Sequence, residues 1–297
     1  MTFHGKQAIY DASKRVLSAR ERREFKLKLA NARRLIAPQL RPLPDFLVIG
    51  AMRGGTSSLY KYLESHPGTA ASLRKEVRYF SDFYDDRDLN WYRAHFPFVM
   101  KRLAFEASPD YLWHPDVPER VAGTLPGVRL VVLLREPFTR ARSEHAHWAA
   151  RQCESRTFDA AVRDEAARGL NSGYLARGDY LSRGLYGAQL HRWLAHHSAD
   201  KIGVFDSDRL FSDTAACLSD IARFLGFGPG GFRSTTRNYS LGREGGVPAT
   251  RPPAVCSLPS EARDALAKDR VLLGEILSRL PVATTPRWVA EFPLSRT

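Results

Sequence analysis

The segment GAMRGGTS over residues 50–57 is the most informative stretch of the chain. An apolar run, FLVIG, enters it at residues 46–50, and a helical pattern over residues 56–65 leaves it. Such a strand–loop–helix passage points backbone N–H groups at a helix start, where an anion binds. The spacing matches GxxxxGK[ST], except that Thr56 occupies the lysine position. That substitution removes the usual phosphate-loop lysine and disfavours kinase or ATPase chemistry. Arg53 supplies charge from within the loop, and its forked donors suit terminal oxygens. Gly54 and Gly55 permit close backbone approach, while Thr56 and Ser57 add hydroxyl donors or cap the helix. The competing reading is a plain βα turn with a solvated Arg53. G-x-G-x-x-G is absent, so a Rossmann fingerprint is not present.

Three further segments matter. LREPFTRARSEH at residues 134–145 places Arg135 at a strand end and Ser143 eight residues on, in the following helix. A long guanidinium and a hydroxyl can converge there on one phosphate, although Arg135 could instead pair with Glu136 and Ser143 could be a plain helix-face hydroxyl. Arg140 and Arg142 are assigned to the solvated face. KEVRYF at residues 75–80 carries Glu76, and FEASPDYL spans residues 105–112. If the first of these is extended, Glu76 and Arg78 point to the same side, as a base with its orienting partner or as a surface ion pair. His66, His114, His145 and His147 compose no metal motif. His145, two residues from Ser143, is read as structural and as the rival base should Glu76 fail.

In order, these four segments resemble the sulfotransferases that use 3′-phosphoadenosine 5′-phosphosulfate (PAPS), closest in pattern to heparan-sulfate-type and related bacterial members. GAMRGGTS resembles the 5′-phosphosulfate loop, KEVRYF a KEVHFF-like strand, FEASPDYL the E-[KA]-[ST]-P-x-Y segment, and LREPFTRARS the L-R-[DN]-P-x-x-R-x-x-S motif. The resemblance implies that Arg53, Gly54, Gly55, Thr56 and Ser57 hold the phosphosulfate and that Arg135 and Ser143 hold the 3′-phosphate. It implies that Glu76 is the base and that Arg243, in a late loop, covers the nucleotide. It further implies sulfuryl transfer from PAPS to a hydroxyl, less readily an amine, of a small-molecule, lipid or glycan acceptor, with no metal. Two departures stand out. The loop lysine is Arg53, which keeps charge but donates a proton poorly, and Ala107 stands where glycan enzymes often carry a second lysine. A P-loop small-molecule kinase, or a non-catalytic anion- or nucleic-acid-binding protein, is the alternative.

The elements that must position these groups follow an alternating pattern. Strands are expected at residues 46–50, 129–134 and 201–206. Helices are expected over 56–65, 138–150 and 214–225, with one ending near His197 and another over 261–280. The pattern predicts an α/β fold, a P-loop-like parallel sheet flanked by helices. Trp91, Tyr92, Phe96 and Phe98 are expected in an acceptor-side lid. Tyr174, Tyr180, Arg183, Gly184 and Tyr186 are expected near the acceptor pocket.

Residues 1–44 read as a basic helical arm and linker, and 45–297 as the α/β domain. The 297-residue chain carries a net charge of +13. The arm holds eleven basic and three acidic residues, so most of the excess lies there. Such a field favours anionic partners without choosing among them, and peripheral contact with an anionic membrane is one use for it. No specific nucleic-acid partner is expected. A hydrophobic fraction of 43% excludes disorder throughout. Cys153, Cys217 and Cys256 form no CxxC pair, which argues against a disulfide framework or structural zinc. Residues 1–20 lack the apolar centre of a signal peptide, and no stretch approaches the roughly 20 apolar residues of a span. A cytoplasmic location is therefore expected.

Overall fold

The computed structural model describes residues 37–98, 101–170, 178–233 and 258–290. The expected arm and Arg243 therefore lie almost wholly outside the described residues, as does Tyr174. Strand β1 (Phe46–Gly50) leads through the 50–57 loop to α1 (Thr56–Ser65) and β2 (Thr69–Ala71). A π-helical turn (Tyr79–Phe83) and α2 (Leu89–Arg93) precede β3 (Leu103–Ala107), and α3 (Val117–Thr124) precedes β4 (Arg129–Leu134). Then come α4 (Pro137–Ala149), α5 (Phe158–Arg168), α6 (Tyr186–Leu194) and β5 (Ile202–Asp206). Finally α7 (Ser207–Ser212), α8 (Thr214–Leu225), α9 (Ser260–Arg279), β6 (Val282–Ala283) and α10 (Arg287–Ala290) complete the described chain.

The strands form one parallel sheet in the order β2-β3-β1-β4-β5-β6. Apolar continuity in β1 and β4 reflects burial on both faces. Leu47, Ile49, Leu130, Val132 and Leu134 join one core with Trp193 and Leu273. Phe46, Val48, Val131 and Leu133 join the other with Leu59, Leu63 and Ile221. Alternate side chains along one strand thus feed two separate helical layers.

The sheet and helices expected from sequence are present, with ends shifted by one or two residues at several. Sequence patterning missed β2, β3 and β6. The first and last are very short, and β3, LAFEA, has a glutamate at its fourth position. The KEVRYF segment is not extended. Glu76 and Arg78 both adopt left-handed backbone, at φ 62° and 58°, and the π-turn begins at Tyr79. The aromatic lid is likewise corrected: Tyr92 and Phe96 are fully buried in the core, and only Phe98 is exposed.

Candidate active site

Parallel strands end on a common edge, and strand order reverses beside β1, between the early strands β2 and β3 and the later β4, β5 and β6. In open α/β sheets the crevice at such a reversal is where ligands bind. The 50–57 loop leaves β1 at this edge. Ala51 N donates to the Leu133 carbonyl at 2.8 Å, tying the loop to β4, and Gly54 N donates to Ala51 O at 2.9 Å. A Cβ on Gly54 would stand 2.8 Å from the Leu133 oxygen and 2.9 Å from the Ala51 oxygen, so this position requires glycine. Gly55, at φ 91°, is the N-cap of α1 and has no side chain to satisfy the first amides. Ser58 N and Leu59 N both donate to the Gly55 carbonyl at 3.0 Å, and the amides ahead of them lie at a helix start, where an anion can bind. Thr56 is buried in the first turn and Ser57 is exposed on it.

The predicted donor groups come together. Arg53 Nε donates to Ser143 Oγ at 3.1 Å, across ninety residues of sequence. Its Nη1 lies 3.1 Å from His147 Nδ1, one turn further along α4. Arg135 Nη1 donates to the Arg53 carbonyl at 3.3 Å, and the buried Tyr186 hydroxyl holds the Arg135 carbonyl at 3.0 Å. The alternative pairing of Arg135 with Glu136 is not made. Glu136 caps α4 instead, accepting from Phe138 N at 2.9 Å and Thr139 N at 2.6 Å.

Glu76 sits at the neighbouring strand end, its amide donating to the Ala107 carbonyl at 3.0 Å. Its side chain is 43% exposed and its Oε1 is 2.5 Å from Lys75 Nζ. Arg78 does not pair with it. That guanidinium binds Asp110 and reaches Asp82 at 3.4 Å, because the left-handed backbone turns it away from its expected partner. Asp110 also accepts from Arg183 Nη1 at 3.0 Å. Burial opposes the charge on Arg183, but the surrounding Glu144 and Asp110 more than compensate and its pKa is raised.

Two residues read as surface or rival groups belong elsewhere. Arg140 is fully buried, paired with Glu144 and donating to the Tyr180 carbonyl, so it is no part of a solvated face. His145 turns to the Arg156 carbonyl at 2.9 Å and packs on Phe158 and Tyr180, as a structural histidine does. A residue that sequence reasoning left without a role is Glu106. Its carboxylate is buried beneath the Glu76 segment and accepts from Tyr92, Tyr111 and Ser108 hydroxyls, each at 2.8 Å. Desolvation raises its pKa against the pull of these donors. The sequence signals were its place at the head of the E-[KA]-[ST]-P-x-Y segment and a charge inside an otherwise apolar pentapeptide, and neither assigned it a role. Among the described residues, no group of three or more His, Cys, Asp and Glu is placed to hold a metal ion.

A parallel sheet with an arginine-bearing, glycine-rich loop between its third-placed strand β1 and helix α1 defines a P-loop-like α/β protein. Residues 43–242 match the Sulfotransferase domain, and the chain belongs to the sulfotransferase family. It is 30% identical over 202 residues to the bifunctional heparan sulfate N-deacetylase/N-sulfotransferase 4 of Mus musculus, covering 63% of this chain and 23% of that protein. It is 30% identical over 190 residues to the heparan sulfate glucosamine 3-O-sulfotransferase 6 of Mus musculus, covering 64% and 54% of the two chains. The chain thus spans about half or less of these relatives' own length. Among solved structures, a sulfotransferase from Alicyclobacillus acidocaldarius superposes with a TM-score of 0.60 at 25% identity, over 80% of this chain and 94% of that one.

Proposed function

We propose that this chain is an enzyme that moves a sulfuryl group from PAPS to an acceptor hydroxyl and releases adenosine 3′,5′-bisphosphate. The observation that carries this reading is the convergence of Arg53, Arg135 and Ser143 at the strand reversal beside β1. Two guanidinium groups, a hydroxyl and helix-start amides suit a ligand with two separated anionic groups. In this reading the loop amides, Arg53, Thr56 and Ser57 hold the phosphosulfate, while Arg135 and Ser143 hold the 3′-phosphate. Glu76, on the β3 side, accepts the proton of the acceptor hydroxyl. The freed oxygen forms a bond to sulfur as the bond between sulfur and the 5′-phosphate oxygen breaks, and that electron pair leaves with the phosphate. Arg53 helps the leaving oxygen by charge, since arginine does not give up its proton at neutral pH.

The heparan sulfate enzymes among the relatives support a glycan hydroxyl as the first acceptor to test. The test supplies PAPS with heparan sulfate chains, p-nitrophenol and lipid alcohols, and seeks a gain of one sulfate by mass spectrometry. In single-turnover assays Glu76→Gln is expected to lose roughly 10²-fold or more in rate while binding adenosine 3′,5′-bisphosphate as the wild type does. Wild-type single-turnover rates in E76Q would remove Glu76 as the base.

A further inference from the structure

The segment that carries Glu76 is held from below by one buried carboxylate. Glu106 is the fourth of the five residues of β3, fully buried, and three of its contacts lead upward into that segment. The Val77 amide faces the Glu106 carboxylate and helps to lower its pKa. The Arg78 amide donates to Ser108 Oγ at 3.0 Å, and Ser108 donates in turn to Glu106 Oε2. The Phe80 amide donates to the Tyr111 hydroxyl at 3.3 Å, and Tyr111 donates to Glu106 Oε1. Three of the four amides that follow Glu76 thus turn toward one carboxylate, Val77 facing it and Arg78 and Phe80 linked to it through hydroxyls. They do so where the backbone is left-handed at both Glu76 and Arg78, a conformation that non-glycine residues keep only when their surroundings enforce it. Tyr92 is different. Its hydroxyl also donates to Glu106 Oε1, at 2.8 Å, but α2 carries it and no amide of the Glu76 segment hangs from it.

We propose that Glu106, acting through Ser108 and Tyr111, is a positioning residue that fixes the Glu76 backbone in its left-handed turn and so aims the base. This inference rests on the reading of Glu76 as the proton acceptor. A carboxylate suits the task because it accepts several donors at once, and hydroxyls relay it to amides beyond its own reach. Without the carboxylate the two hydroxyls would lose the acceptor that orients them beneath the Arg78 and Phe80 amides.

The test cuts the relays one at a time. Ser108→Ala and Tyr111→Phe each remove one oxygen between Glu106 and the segment. Tyr92→Phe removes a hydroxyl from the same carboxylate while leaving both relays in place. Radiolabelled PAPS and the panel acceptor that gains sulfate, heparan sulfate chains being tried first, give the single-turnover rate. Amide hydrogen exchange over residues 75–81 gives a readout that needs no turnover. The expected result is a drop of about tenfold in rate for S108A and Y111F, unchanged affinity for adenosine 3′,5′-bisphosphate, and faster exchange over residues 75–81. Y92F keeps the wild-type rate and exchange. In an E76Q background, S108A adds little further loss, because the group it aims is already gone.

Wild-type rates in S108A and Y111F alongside a slow E76Q would overturn the positioning role and leave the base reading standing. Equal losses in Y92F and Y111F would reduce the network to general core stability and likewise overturn it. A full S108A loss persisting in E76Q would separate Ser108 from the base. A wild-type rate in E76Q would remove the base reading itself, and this inference with it.

Discussion

Arg135 enters the site from the end of β4 with its backbone oxygen fixed by Tyr186 and its guanidinium against the loop carbonyl of Arg53. Its charge is thus placed rather than merely present, which is what discrimination between nucleotides demands. Arg135→Ala is expected to bind adenosine 3′,5′-bisphosphate ten- to a hundredfold more weakly, the scale of one charge-assisted hydrogen bond. Affinity for adenosine 5′-monophosphate should barely change. Titration of both nucleotides against both proteins checks this, and an unchanged ratio of affinities would take Arg135 out of the proposed phosphate site. At this scale the sequence was informative where a motif carried the chemistry: the loop motif and the LREPFTRARS motif meet through Arg53, which touches both Ser143 and Arg135. It was silent on Asp110 and Glu106, whose roles depend on what lies above them in space. It misled at Arg78 and Arg140, because period-based reasoning assumes regular backbone and an exposed face. Arg78 has the first denied it by a positive φ, and Arg140 the second by Glu144.

Helix α6 shows how one element couples the far helix to the site. Its first residues include Tyr186, which holds Arg135, and Gly187, against which α9 lies. A Cβ on Gly187 would stand 2.5 Å from the Asp269 carbonyl oxygen and 2.9 Å from Leu273 N. The Asp269 carboxylate meanwhile accepts from Gly187 N at 2.9 Å and Ala188 N at 2.8 Å, closing the start of α6. Gly187→Ala is expected to cost about 1–3 kcal/mol through overpacking and to lower Tm by several degrees. It should also weaken adenosine 3′,5′-bisphosphate binding, since Tyr186 must move with the helix. Ile221→Ala in α8, buried on the other face of the sheet, should destabilise by about 2–5 kcal/mol yet bind the nucleotide normally below its Tm. Calorimetry with and without nucleotide separates the two. Equal binding in both variants would mean that α6 is not coupled to Arg135. Elements such as β1 and α8 were legible because their apolar period or continuity is strong. By contrast, β3 was not, since its buried glutamate breaks the pattern that marks a covered strand.

At the scale of the molecule, the described carboxylates with shifted pKa values include two groups that respond oppositely to acid. Hydrogen bonds from Arg156 hold Glu154 down to about 2. Its folded pKa lies below the unfolded value of about 4.3, so its stabilisation is complete above that pH and fades as pH falls toward about 2. Burial raises Glu106, Glu165, Asp206 and Asp269, which lose stability when ionised and are relieved by acid. Glu154→Gln is therefore expected to have a lower Tm than the wild type at pH 7, with the gap narrowing between about pH 4.5 and pH 2. Thermal melts across that range check the sign. A gap that is constant with pH would mean that Arg156 does not hold the carboxylate.

The central position of β1 has a consequence for synthesis. Of the described strands it is translated first, yet its neighbours are residues 103–107 on one side and 129–134 on the other. A growing chain therefore carries FLVIG with two open edges until β3 emerges, and with one open edge until β4 does, an interval in which such a segment invites wrong pairing. The 50–57 loop shares that delay. Its first tie runs from Ala51 N to the carbonyl of Leu133, so the loop is encoded early but closes only after the ribosome has passed β4.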